Sequence, residues 1–134
     1  MTVSNLAEFQ LDLSNFARVA VPEAHSLLVK KIAFELFTRI VLKTPVDTGR
    51  ARANWSVSIG APSGTISAAT DKAGGATISA GVQGINGAAP AQQVIWLENN
   101  LPYIEALEDG SSKQAPAGMV EGSLNEVQTF INQL

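Results

Sequence analysis

The sequence predicts an α+β domain in which a long N-terminal helix packs on a short antiparallel sheet and a second helix closes the chain. Three observations carry this. From Pro22 to Lys43 apolar residues recur every three or four positions, from Trp55 to Ile59 they alternate with serine, and from Ala117 onward the helical spacing returns.

Taken in order, Ser14 is placed to cap a short helix that includes Phe16 and Val19 and breaks near Pro22. The long helix follows. Leu28, Ile32, Leu36 and Ile40, flanked by Val29, Ala33, Phe37 and Val41, form one broad apolar stripe, with Lys31, Glu35 and Arg39 four apart on the exposed side. Pro22 suits a first helical position, Glu23 the positive end of the helix dipole and Lys43 the negative end. Pro45 then forbids continuation and drives Thr44 out of helical geometry, so the chain turns.

Trp55, Val57 and Ile59 have the period of a half-buried strand ending at Gly60, and a second strand is expected at Val94–Leu97. Between them, Ala61 to Ala91 is rich in Gly, Ala, Ser and Thr and reads as a long flexible loop. Within it Ile78, Val82 and Ile85 fall at helical spacing; Ile78, Ala80 and Val82 also fit a strand and Gly81 and Gly84 weaken a helix, but a short helix is the favoured reading. Further on, Pro102 can start a helical turn that Gly110 ends. Val120, Leu124, Val127, Ile131 and Leu134 give the terminal helix one apolar face.

A chain of 134 residues fits one domain, and one core suffices to bury about two thirds of the surface its unfolded form exposes. With 46% hydrophobic and 16% charged residues it is slightly more apolar than an average globular domain, which leaves apolar surface for partners. A net charge of −3 disfavours binding nucleic acid mainly by phosphate neutralisation. Zero cysteines remove disulfides and thiolate metal sites. No apolar run approaches the length of about 20 residues that spans a bilayer, and Met1–Asn5 lacks the basic start of a secretion signal, so a cytosolic product without a membrane partner is expected.

Asp47-Thr48-Gly49 matches the signature tripeptide of aspartic proteases, whose chemistry needs two such aspartates sharing a proton across a dimer axis. Its context differs. In that fold the triplet follows a buried strand of an almost all-β protein, whereas a long helix and Thr44-Pro45 precede it here and Arg50 follows. The simpler reading is a turn in which the Asp47 side chain accepts backbone N–H groups and Gly49 supplies an unusual φ. His25 is the sole histidine and sits within the long helix, so triads, multi-histidine metal sites and proton relays lack raw material. Glu98, Glu105, Glu108 and Asp109 can in principle supply a paired acid and base as in glycosidases, but such residues more often solvate a helix. The Gly74-Gly75 pair lacks the Lys and Ser or Thr of a phosphate-binding loop. No catalytic residue, cofactor or metal is expected.

Arg50, Arg52 and Trp55 combine the side chains most enriched at interface hot spots just after a fixed turn; the alternative is a core tryptophan with solvated arginines. Tyr103 offers an apolar body with a hydroxyl that needs a partner. Lys113, Gln114 and Met119 belong to a Pro-containing stretch that reads as an exposed arm against a neighbour, or else as a packed surface loop.

Leu42-Lys43-Thr44-Pro45-Val46-Asp47-Thr48-Gly49-Arg50 with Asn54-Trp55, then Asn99-Asn100-Leu101-Pro102-Tyr103, then Leu107 through Val120 closely resemble the tail-component family of long-tailed bacteriophages. That family includes the neck proteins called tail completion or head-to-tail joining proteins. The blocks stand in the right order with a long helix before and a terminal helix after, and the resemblance is thin only over about 61–91. It implies a small α+β virion subunit made in the bacterial cytoplasm, assembling into a ring, typically a hexamer, between the tail tube and the closure or adaptor ring beneath the portal. A tail terminator or head-closure ring of the same neck is the nearest alternative. The role implied is structural, with at most passive contact with DNA in the central channel. Such a ring needs two unlike, complementary surfaces. Arg50 and Arg52 are expected to meet Glu108, Asp109 or another acidic group, within the fold or across a subunit boundary.

Overall fold

The structure, a computed structural model, describes residues 22–88, 94–109 and 118–133. The short helix expected from Ser14, the stop at Gly110, the arm residues Lys113 and Gln114, and Leu134 lie outside these residues, as does the side chain of His25. Along the chain run α1 (Pro22–Lys43), α2 (Arg50–Ala53), β1 (Ser56–Ile59), α3 (Gly75–Asn86), β2 (Ile95–Glu98), α4 (Ile104–Glu108) and α5 (Met119–Asn132). The class is α+β.

The predicted stripe of α1 is its buried side: Ile32, Ala33, Phe37, Ile40 and Val41 are all inside. Fully burying a side chain such as Phe37 or Ile40 stabilises the fold by about 1.5–3 kcal/mol, so this stripe is the main anchor of the domain. Its lower half meets α5, where Ile32, Val127 and Ile131 form one cluster with Leu28, Val29, Leu36 and Phe130 around it. Arg39 and Lys43 bridge from α1 to Glu126 of α5 at 3.0 and 2.6 Å over that seam. Being half exposed, these pairs set the register of the two helices more than they stabilise them.

At the end of α1 the Thr44 hydroxyl donates to the Ile40 carbonyl at 2.7 Å and accepts from the Trp55 indole N–H at 2.8 Å. Both residues are buried. The helix therefore stops where Pro45 requires, and the freed hydroxyl is used inside the core.

The short helix expected around Ile78, Val82 and Ile85 is present, inside the stretch that otherwise reads as loop. α3 occupies Gly75–Asn86 and packs against both α1 and β1. Its glycines, which count against a helix by propensity, are what lets it fit. A Cβ on Gly81 would lie 2.2 Å from the Phe37 ring, and one on Gly84 would lie 3.2 Å from Val57. Packing overrides the propensity cost of about 1 kcal/mol per glycine. Through α3, Phe37 and Val41 of α1 join one core with Val57, Ile95 and Leu97 of the sheet.

β1 and β2 are antiparallel, with Ser56 opposite Glu98 and Ile59 opposite Ile95. The ladder is extended by the Gly60 N–H donating to the Val94 carbonyl at 2.8 Å. Compared with the expected strands, β1 starts one residue after Trp55 and β2 is shifted by one toward Glu98. Residues Arg50–Ala53 form a helical turn that alternation alone does not suggest. α4 follows Pro102 as expected and buries Ile104, while Leu101 before it is also buried.

Candidate functional site

The first signature turn is organised by Gly49. Its φ is +89°, and a Cβ there would lie 2.7 Å from the Lys72 nitrogen and 2.9 Å from two Asp71 backbone atoms. Only glycine permits both the left-handed geometry and that close approach. The Gly49 carbonyl accepts the Asp71 N–H at 3.0 Å, so the turn and the 61–73 loop are joined backbone to backbone. Asp47 is exposed and makes no hydrogen bond among the described residues. The backbone-accepting role expected of it falls to the Thr48 hydroxyl, which takes the Arg50 N–H at 3.3 Å.

Arg52 is the hub. Its guanidinium donates to the carbonyls of Thr44 (3.1 Å), Lys72 (2.7 Å) and Leu42 (2.8 Å), thereby closing the end of α1 and holding the loop. A planar fork of N–H donors suits such divergent carbonyls, and a lysine ammonium does not. Arg50 reaches the Ser67 carbonyl at 3.3 Å. Neither arginine meets Glu108 or Asp109 within the subunit. The Glu108 carboxylate instead accepts the N–H groups of Val120 (2.8 Å) and Glu121 (3.1 Å), capping α5.

Two expected interface residues are core residues. Trp55 is buried with its indole bonded to Thr44, and Met119 is buried as the first residue of α5, its sulfur 3.4 Å from the same hydroxyl. The extended look of the preceding Ala-Pro-Ala-Gly suggested an arm, but Gly118 at φ +82° turns the chain directly into the helix. Pro45 is buried, Pro102 is exposed at the entry to α4, and Tyr103 is 41% exposed.

The polar machinery that sequence reasoning missed holds the loop in place. The Asn54 side chain accepts the Ser67 N–H at 2.8 Å and donates to the Ser67 carbonyl at 2.9 Å, standing in for a neighbouring strand. Asn100 donates to the Thr65 carbonyl, and Asn99 to the Ala51 carbonyl. Glu98 is buried and receives the Ser63 N–H (2.6 Å), the Ser63 hydroxyl (2.7 Å), the Ser58 hydroxyl (3.1 Å), Asn100 (3.2 Å) and the Gly64 N–H (3.4 Å). Burial alone would raise its pKa, but the donors from Ser63, Asn100 and Gly64 outweigh it and hold the carboxyl below its ordinary value. Glu98 is thus an acceptor hub that straps the loop to β2. Asp71 caps α3 in the same manner, through Gly74, the Thr77 N–H and the Thr77 hydroxyl. The Thr77 backbone and hydroxyl donors lead in lowering its pKa, against a smaller effect of burial. A polar run such as Glu98-Asn99-Asn100 directly after an apolar strand is the available sequence signal.

On the opposite side of α1 from the core, Leu27, Phe34 and Leu42 are 69%, 37% and 49% exposed. Spaced seven and eight residues apart, they fall on one side of the helix and form a line about 22 Å long. Among the described residues no group of three or more His, Cys, Asp or Glu is placed to hold a metal ion. None of the described helices is long and apolar enough to cross a membrane.

No family model matches this chain, and neither a curated protein nor a solved structure shows significant similarity to it.

Proposed function

We propose that this chain is a structural virion subunit of a tailed bacteriophage, forming a ring in the neck that completes the tail and joins it to the head. The observation that carries the reading is the line of Leu27, Phe34 and Leu42, large apolar side chains left in water along the outer face of the longest helix. Aligned exposed apolar residues mark surfaces that other protein covers. The motif-bearing turn and its strapped loop, fixed by Arg52, Asn54 and Glu98, begin beside Leu42 at the end of that helix and offer a second surface of different, polar character. Two unlike rigid surfaces are what a closed heterologous ring requires. The three sequence blocks that resemble the tail-component family support the same assignment, and their turn residue Gly49 here serves geometry. Partners are further copies of the chain and the adjoining tail-tube, terminator, closure or adaptor proteins.

The test is a phage particle made without this polypeptide. Full heads and finished tails that fail to join are the expected result, rescued by the wild-type chain and not by a folded Leu27→Asp, Phe34→Asp double variant. Overlong tails would instead assign a terminator role, leaking heads a closure role, and fully infectious particles would overturn the reading.

A further inference from the structure

The two-stranded sheet has an open edge, and we propose that residues Phe9–Leu13 of the same chain fill it as a third strand beside β2. The Gly60 N–H bond to the Val94 carbonyl shows which positions bond across the ladder. In the observed register Ser58 with Trp96 and Ser56 with Glu98 are the hydrogen-bonded pairs, so Ile95 and Leu97 direct their N–H and C=O groups away from β1. Those groups make no hydrogen bond among the described residues. Among the described elements β1 has α3 against it as well as β2, whereas β2 packs extensively on β1 alone.

Protein edges that must stay unpaired carry charge, proline or a bulge. Ile95, Trp96 and Leu97 are half-buried and carry neither charge nor proline. Two strands alone are also marginal, and a third is what makes a small sheet stable.

The occupant follows from sequence and reach. Outside the described residues, Phe9-Gln10-Leu11-Asp12-Leu13 is the one run in which large apolar residues alternate with polar ones; 89–93 and 110–117 hold no large apolar side chain, and each contains proline. Residues 14–21 link that run to Pro22, a tether that spans about 28 Å when extended. The sheet is within its range, because Lys30 near the start of α1 donates to the Asn86 carbonyl of α3 (3.4 Å) and the same helix carries Gly84 against Val57. So short a link gives the segment a local concentration of about millimolar at its own β2, which favours it over a second copy's.

Direction and register follow in turn. β1 starts beside Trp55, which is bonded to Thr44 at the end of α1, and runs toward the start of that helix, as Gly81 on Phe37 and Gly84 on Val57 mark out. A segment leading into Pro22 runs the same way, antiparallel to β2. Phe9, Leu11 and Leu13 must share the core-facing side with Ile95 and Leu97, which pack against the main core. Three registers then bring the run onto β2. Two of them set an acid opposite Glu98, Glu8 in one and Asp12 in the other, and like charges directly opposite are destabilising. The third sets Leu13 opposite Ile95, Leu11 opposite Leu97 and Gln10 opposite Glu98.

The chain has no native cysteine, so paired cysteines in the full-length protein test the register. Ser14→Cys with Val94→Cys, directly opposite in this pairing, closes under mild oxidation into a monomer that has lost both free thiols. Asp12→Cys or Phe16→Cys with Val94→Cys, which the two rejected registers bring together, closes at least about tenfold more slowly. Hydrogen exchange gives a second reading. In the wild type the Ile95 and Leu97 amides are protected along with that of Trp96, and Leu11→Pro, which removes the donor to Leu97, speeds the first two by at least about tenfold and leaves Trp96 protected. The cysteine pairs and the wild-type exchange stand even where Leu11→Pro does not fold. Fast exchange at Ile95 and Leu97 in the wild type, equal closure of the three cysteine pairs, or no closure of Ser14→Cys with Val94→Cys overturns the proposal. Closure of that pair only between chains, as a dimer, also overturns it and assigns the edge to a second copy's segment.

Discussion

Gly49→Ala and Gly60→Ala form a matched pair, because both glycines have nearly the same backbone angle, φ +89° and +84°. At Gly60 nothing lies within 4 Å of an added Cβ, so alanine there meets only the left-handed penalty of about 1–2 kcal/mol. At Gly49 the same penalty applies, and the new Cβ also overlaps backbone atoms of Asp71 and Lys72 at 2.7–2.9 Å, which no side-chain rotation can relieve. The loop must back away. That breaks the Asp71 N–H bond to the Gly49 carbonyl and pulls the Lys72 carbonyl off Arg52. A neutral hydrogen bond contributes about 1 kcal/mol and a charge-assisted one about 1.5–3 kcal/mol. The expected loss is thus about 4 kcal/mol for Gly49→Ala, against about 1–2 kcal/mol for Gly60→Ala. Urea unfolding at neutral pH, followed by far-UV circular dichroism and tryptophan fluorescence, measures both. Equal losses at the two positions would mean that the turn and the loop are not joined as described.

Other expectations follow from single contacts. Trp55→Phe leaves Thr44 without its indole donor, whereas the Trp96 indole N–H is buried without a partner, so Trp96→Phe removes an uncompensated polar group. Trp55→Phe should cost at least about 1 kcal/mol more than Trp96→Phe by denaturant titration. Glu98, with its folded pKa depressed, contributes stability that is fully present above the unfolded value of about 4.3 and is lost as pH falls through the folded value. Glu98→Gln should therefore be less stable than wild type by about 1–3 kcal/mol at pH 7, and the gap should narrow in acid; a gap independent of pH would contradict the strap. Glu108→Ala removes the acceptor at the start of α5 and should cost about 1–2 kcal/mol, with amide exchange of Val120 and Glu121 accelerated first.

The periodic elements were legible because their burial repeats with the helix or strand period. α1 and α5 appear where Ile32, Phe37, Val127 and Ile131 recur, and β1 and β2 lie within a residue of the expected strands. The spacing of Ile78, Val82 and Ile85 pointed to α3 but not to what it packs on, because Gly81 and Gly84 act through the space they leave for Phe37 and Val57, and hydropathy cannot register space. Turn chemistry pointed correctly to Gly49 but not to what it approaches, since Asp71 and Lys72 lie more than twenty residues away in the chain. The function of Arg52 and Asn54 was hidden for another reason: they bond backbone carbonyls, which carry no residue-specific signal. Charge complementarity suggested arginine to carboxylate pairs; within the subunit, carbonyls and orphan helix N–H groups took those side chains first.

The three-way grip of Arg52 has a mechanical corollary. Because one guanidinium clasps Leu42, Thr44 and Lys72 together, any pull on the loop at Lys72 is borne by the foot of a 22-residue rod.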